Sequence, residues 1–135
     1  MVYNIVDIEG IGPSFGAKLE AVGVKTTDRL LHVGGSAKGR SELAAKTGIA
    51  EGNILRWVNH ADLMRISGIG PQFAELLEAA GVDTVKELRH RNAANLALRM
   101  SEINEQKKLT KGAVSESQAA DWIEQAKALD PKVSY

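Results

Sequence analysis

The stretch that decides the fold is "IEGIGPSFGAKLEAVGV", residues 8–24, because it returns at 66–82 as "ISGIGPQFAELLEAAGV". Aligning 8–30 with 66–88 makes 13 of 23 positions identical, where chance at ordinary composition allows one or two. The shared residues are those that shape a chain: Ile8/Ile66, Gly10/Gly68, Ile11/Ile69, Gly12/Gly70, Pro13/Pro71, Phe15/Phe73, Leu19/Leu77, Gly23/Gly81 and Thr26/Thr84. The chain carries a duplicated unit.

Within each copy the order is corner, helix, stop, helix. Pro13 and Pro71 suit the first helical position, where the missing N–H costs nothing and φ is already set. Phe15, Leu19 and Val22 fall on one helical face, as do Phe73, Leu77 and Ala80. Gly23 and Gly81 stand where a left-handed C-cap is wanted. Thr84 with Glu87 three residues on predicts a capping box. Further along, Gly48 suits a C-cap; Ile54, Trp57, Val58, Ala61 and Met64 form one stripe; Asn92 suits an N-cap before Leu96, Met100 and Ile103. Ser115 with Gln118 opens a last helix, which Pro131 closes. No segment alternates with period two. The expectation is an all-α protein of about eight helices.

"RWVNHADL" at 56–63 is echoed by "DWIEQAKAL" at 121–129, now with an offset of 65, so the second copy holds about seven extra residues within "EINEQKKLTKGAVS". The domains predicted are 1–63 and 64–135, each a repeat with a trailing Trp helix. The two are expected to form one compact pseudo-twofold domain. The Trp122 helix is predicted to fold back onto the first repeat, which has too few residues before its corner for a helix of its own.

Composition narrows the classes. The 135 residues include no cysteine, which removes disulfides, thiolate metal sites and cysteine nucleophiles. Seventeen basic residues balance seventeen acidic ones, which counts against a large electrostatic footprint on nucleic acid. The N-terminus does not read as a signal peptide, and no apolar run approaches the roughly 20 residues of a membrane span. A cytoplasmic protein without membrane contact is expected.

The corner itself has chemistry. Gly10 or Gly68 permits a positive φ, Ile11 or Ile69 can pin the turn to the core, and Gly12 or Gly70 keeps side-chain bulk away from a visiting molecule. The helix that follows offers unpaired N–H groups and the positive end of its dipole, a setting for phosphate. With proline silent, the donors are Gly12, Ser14 and Phe15 in the first copy, and Gly70, Gln72 and Phe73 in the second.

The pattern in "IEGIGPSFGAKL" and "ISGIGPQFAELL" resembles the helix-hairpin-helix superfamily. The whole chain, through "GIGP…LLEAAGVDTVKELRHRNAANL" and "LRWVNHADLMRISGIG", resembles a bacterial tandem helix-hairpin-helix family of unassigned function. The superfamily resemblance implies sequence-independent grip on a DNA backbone, sometimes with a monovalent cation beneath the hairpin, and no other cofactor. DNA-gripping members often carry Lys, Arg or Thr after the proline. Here those positions are Ser14-Phe15 and Gln72-Phe73. Lys18 follows in the first copy, whereas Glu75 and Glu78 follow in the second, making the first corner the better phosphate candidate.

The remaining residues carry less. Arg89, His90 and Arg91, with Arg99 and the lysines 107, 108 and 111, read as a solvated face that could extend a backbone-binding strip. His32 and His90 are equivalent by duplication, and with His60 they lack metal-ligand spacing. Trp57 and Trp122 read as core. No catalytic constellation is present, so no enzyme is expected. The leading expectation is weak, non-specific binding of a DNA or RNA backbone by Gly10, Ile11, Gly12, Ser14, Phe15 and Lys18, and by Gly68, Gly70 and Gln72. The alternative is a protein-interaction module, monomeric or dimerised by swapping its last helix.

Overall fold

In the computed structural model, residues 3–135 are described. Among them the protein is all-helical, with eight α-helices and one 3-10 turn, Ile5–Asp7. The helices are α1 (Gly12–Ala21), α2 (Thr27–Gly34), α3 (Ala37–Thr47), α4 (Glu51–Leu63), α5 (Pro71–Ala79), α6 (Val85–Leu88), α7 (Ala93–Lys107) and α8 (Glu116–Ala128). The extended pairing among these residues is a single bridge, Asn4 with Thr26.

The caps predicted at Thr84, Asn92 and Ser115 form, and Thr26 and Ser36 add two that the sequence reading did not name. Side chains of Thr26, Ser36, Thr84, Asn92 and Ser115 each accept a hydrogen bond from a first-turn N–H of the following helix, a cap worth about 1 kcal/mol. Glu87 closes the Thr84 box one residue early, accepting from the Asp83 N–H at 3.2 Å. Gly23, Gly48 and Gly81 take the left-handed conformation at φ +86°, +74° and +90°. The extra residues of the second copy enter in α7, with 15 residues where α3 has 11, and in the link after it, 108–115 where the first copy has 48–50. Val22, expected on the buried face, is exposed and lies just past the end of α1.

The chain divides into two compact units, Met1–Asp62 with Lys132–Tyr135, and Leu63–Pro131. The boundary expected between residues 63 and 64 falls between Asp62 and Leu63, and the last four residues group with the first unit. In unit 1 the 3-10 turn lies against α1, and α2 against α3. The core is aliphatic, with Ile5, Ile8, Ile11, Leu19, Leu30 and Ile54 at 2% exposure or less. In unit 2, α8 packs along α7 and α6, and α5 along α7.

The Trp122 helix carries its indole to the corner of its own repeat. Trp122 packs on Phe73, ring centroids 5.3 Å apart, and its indole nitrogen lies against Gly68. Trp57 packs on Phe15 in the same way, at 5.1 Å, and its indole nitrogen lies against Gly10. Each corner is therefore backed by the tryptophan that follows it in its own repeat. The echo between 56–63 and 121–129 is one of equivalence. Each Trp–Phe contact adds about 1 kcal/mol beyond simple burial.

Candidate nucleic-acid interface

In the first corner Gly10 has φ +91° and Gly12 φ +63°, and both are exposed. Ile11 between them is buried at 2% exposure and anchors the turn in the unit 1 core. Its N–H donates to the Ile8 carbonyl at 3.3 Å. Helix α1 begins at Gly12, so Pro13 stands at its second position, one later than predicted. A Cβ built on Gly12 meets nothing within 4 Å. The surface in front of this glycine is open, and the first-turn N–H groups of a helix lack intrahelical acceptors.

Two cations stand beside this opening. Lys18 is exposed, with Nζ 5.8 Å from the centroid of the Phe15 ring. The ring thus steadies an ammonium in the last turn of α1. Arg56, on α4, brings a guanidinium nitrogen to 3.4 Å from a Cβ position at Gly10. Sequence reading passed over Arg56, because it lies 46 residues from the corner and only the packing of α4 brings it there. Its signal was available one residue away, in the tryptophan stripe.

The second corner differs in backbone and in charge. Gly68 is left-handed at φ +99°, but Gly70 is an extended N-cap at φ −96°, and α5 starts on Pro71. Ile69 is fully buried, Gly70 half-buried and Gln72 exposed. Leu76 holds the position equivalent to Lys18 and is buried at 1% exposure. Asp121 holds the position equivalent to Arg56, and its carboxylate accepts from the Gln125 amide at 3.0 Å. The same amide donates to the Ser67 carbonyl at 3.1 Å, while Ser67 N–H donates to the Gln125 side chain at 2.9 Å. This corner is thus tied to α8. Beyond α5, Asp83 has its pKa raised by burial first, then by the neighbouring Glu87 and Glu78 carboxylates.

Two of the arginines that could have extended a basic strip are engaged with backbone. Arg89 donates to the Leu129 carbonyl at 2.8 Å and Arg91 to the Ala80 carbonyl at 3.5 Å. Arg99 lies 3.9 Å from Glu102. His32 and His90 are exposed, and His60 is buried. Among the described residues no three His, Cys, Asp or Glu side chains are grouped to hold a metal ion. No helix among them is long and apolar enough to cross a membrane.

An all-α chain built on a duplicated Gly-Ile-Gly corner, one copy flanked by cations and one by carboxylates, defines the class. The chain belongs to the family described as a domain of unknown function, DUF4332, whose model matches residues 9–129. It is also similar to the poly(3-hydroxyalkanoate) polymerase subunit PhaC of Haloarcula marismortui, 40% identical over 65 residues, which are 48% of this chain and 11% of that protein. The match therefore spans about a tenth of the polymerase subunit's length. No solved structure matches the chain.

Proposed function

We infer that the protein is a non-enzymatic, tandem helix-hairpin-helix module that binds a nucleic-acid backbone, DNA in the first instance, without reading sequence. Unit 1 carries the contact. Gly10 and Gly12 let a phosphate approach, the N–H groups of Gly12, Ser14 and Phe15 accept it, and Lys18 and Arg56 balance its charge. The observation that carries the reading is the conjunction at one corner of two exposed left-handed glycines, open space before Gly12, and two cations. The second corner serves as structure. Its acidic neighbours repel phosphate, and Gly68 and Gly70 shape the turn under Trp122 while Gln72 faces solvent.

Fluorescence anisotropy of labelled duplex and single-stranded DNA tests this. With two cations at the contact, the dissociation constant should fall in the range of about 10⁻⁴ to 10⁻⁶ M, with a log–log salt slope near −2. Lys18→Gln and Arg56→Gln should each flatten that slope by about one. Gly12→Val should abolish binding, while a Gln72→Ala control should not change it. Absence of salt-sensitive binding at low ionic strength would end the reading.

A second reading is favoured by one observation: the similarity to a small part of a polymerase subunit suits a module that is joined to other proteins. The charge balance agrees with it. Light scattering over a hundredfold concentration range separates the two readings, since self-association without DNA binding would support the second.

A further inference from the structure

The last four residues lie in a groove of unit 1 that has the properties of a peptide site. Ser134 donates its N–H to the Gly35 carbonyl at 2.8 Å, and its own carbonyl accepts from Arg40 Nη2 at 2.6 Å. Arg40 is 5% exposed. Its Nη1 donates to the carbonyls of Gly34 and Gly35 at 2.9 and 3.0 Å, which fixes the guanidinium at the end of α2 with one edge turned to the tail. At Gly35 a Cβ would collide with the Lys132 carbonyl, so glycine is what permits a second backbone to lie this close. The Tyr135 ring stands 6.0 Å from the Arg40 guanidinium carbon, and its hydroxyl is 3.4 Å from Asn59 Oδ1. Beside it is an open cavity of about 330 Å³ lined by Ala37, Arg40, Glu51, Gly52, Leu55 and Tyr135.

The two shorter polar contacts of Ser134 run through its main-chain N–H and carbonyl, and its hydroxyl donates more distantly to the same Gly35 carbonyl at 3.5 Å. A site built in this way takes an extended backbone by its peptide groups and leaves the side chains to tune affinity, as in strand addition. Lys132, Ser134 and Tyr135 are exposed, so the tail opens little buried side-chain surface to water on leaving. Its departure leaves a nearly buried arginine facing one acceptor fewer, and that selects for a replacement carbonyl. The same tail on another molecule offers the same groups, which is the condition for exchange of an identical element.

We propose that the Gly35–Arg40 groove is a docking site for an extended peptide, occupied by the chain's own Lys132–Tyr135, and that the tail of a second copy is its ligand in trans. This site is independent of the nucleic-acid reading, and the Gly12 corner takes no part in it.

The test uses the full chain carrying Ser134→Pro, which removes the N–H donor to Gly35 without touching the groove. The probe is the acetylated, amidated hexapeptide Asp-Pro-Lys-Val-Ser-Tyr, residues 130–135, titrated into ¹⁵N-labelled protein. The Gly34 and Gly35 amides and the Arg40 Nε–H should shift, with half-saturation on the order of 1 mM, the scale a few net hydrogen bonds support. The wild-type chain should need roughly fivefold more peptide, because its tethered tail competes at high effective concentration. The same peptide with proline in place of serine should leave these resonances unmoved. At millimolar concentration the wild-type chain should show a dimer fraction in light scattering that Ser134→Pro lacks. If Ser134→Pro does not fold, Tyr135→Ala loosens the tail from its other end and replaces it. No shifts in the loosened chain, equal shifts with the proline peptide, or no dimer fraction in the wild type would each overturn the proposal.

Discussion

Gly12 and Gly70 are the same residue in the repeat and do different work. Gly12 sits at φ +63° with empty space before it, so its replacement by alanine meets backbone strain and no steric neighbour. The expected cost to unit 1 is about 1 kcal/mol, read as a lowered denaturation midpoint for amides of 3–62. Gly70, at φ −96°, is in a region that any residue adopts, and φ strain plays no part there. Lys18 and Leu76 show the same divergence in side chains. One is exposed over a phenyl ring and the other is core. Duplication preserved the turn, and the two copies then parted in what they show to solvent.

At the scale of the element, α4 is the informative helix. Its stripe of Ile54, Trp57, Val58 and Ala61 is buried, which carries Arg56 on the adjoining face to the first corner. Gly52 in its first turn faces open space, so Gly52→Ala should stabilise unit 1 by roughly 0.5–1 kcal/mol, measurable by chemical denaturation. The segment from α5 to α6 carries the opposite electrostatics. Asp83 holds its proton more tightly when folded than when unfolded, first by burial and then by Glu87 and Glu78. The folded state therefore binds the extra proton between the ordinary aspartate pKa and the raised one. Stability from this group is greatest at low pH and falls as pH rises through that window. Asp83→Asn should raise the unit 2 melting temperature at pH 7 and leave it nearly unchanged well below pH 3.8, a difference that melts at the two pH values would reveal.

At the scale of the molecule, each unit closes its own core with its own tryptophan. Trp57→Ala should cost unit 1 about 3–5 kcal/mol, as should Trp122→Ala in unit 2. Hydrogen exchange can assign each loss: faster exchange is expected within 3–62 for the first substitution and within 63–131 for the second. Should Trp122→Ala accelerate exchange around Phe15 instead, the assignment of each tryptophan to its own corner would be wrong. The tail at Lys132–Tyr135 is the exception to this division by repeats, since it belongs to unit 1 although it follows the whole of unit 2 in the chain.

What the sequence determined by itself was most of what depends on neighbours along the chain. Caps at Thr84, Asn92 and Ser115, left-handed stops at Gly23, Gly48 and Gly81, the helical stripes and the duplicated corner all rest on interactions spanning fewer than about five residues, and those are written in local order. Tertiary structure decided where distant surfaces meet. It placed Trp122 on Phe73, brought Arg56 to Gly10, turned Arg89 and Arg91 to backbone carbonyls, and laid Ser134 against Gly35. The physical reason is that a helix with an apolar stripe can bury it against any complementary face. The stripe specifies burial, and only the competition among all faces in the folded chain selects the partner.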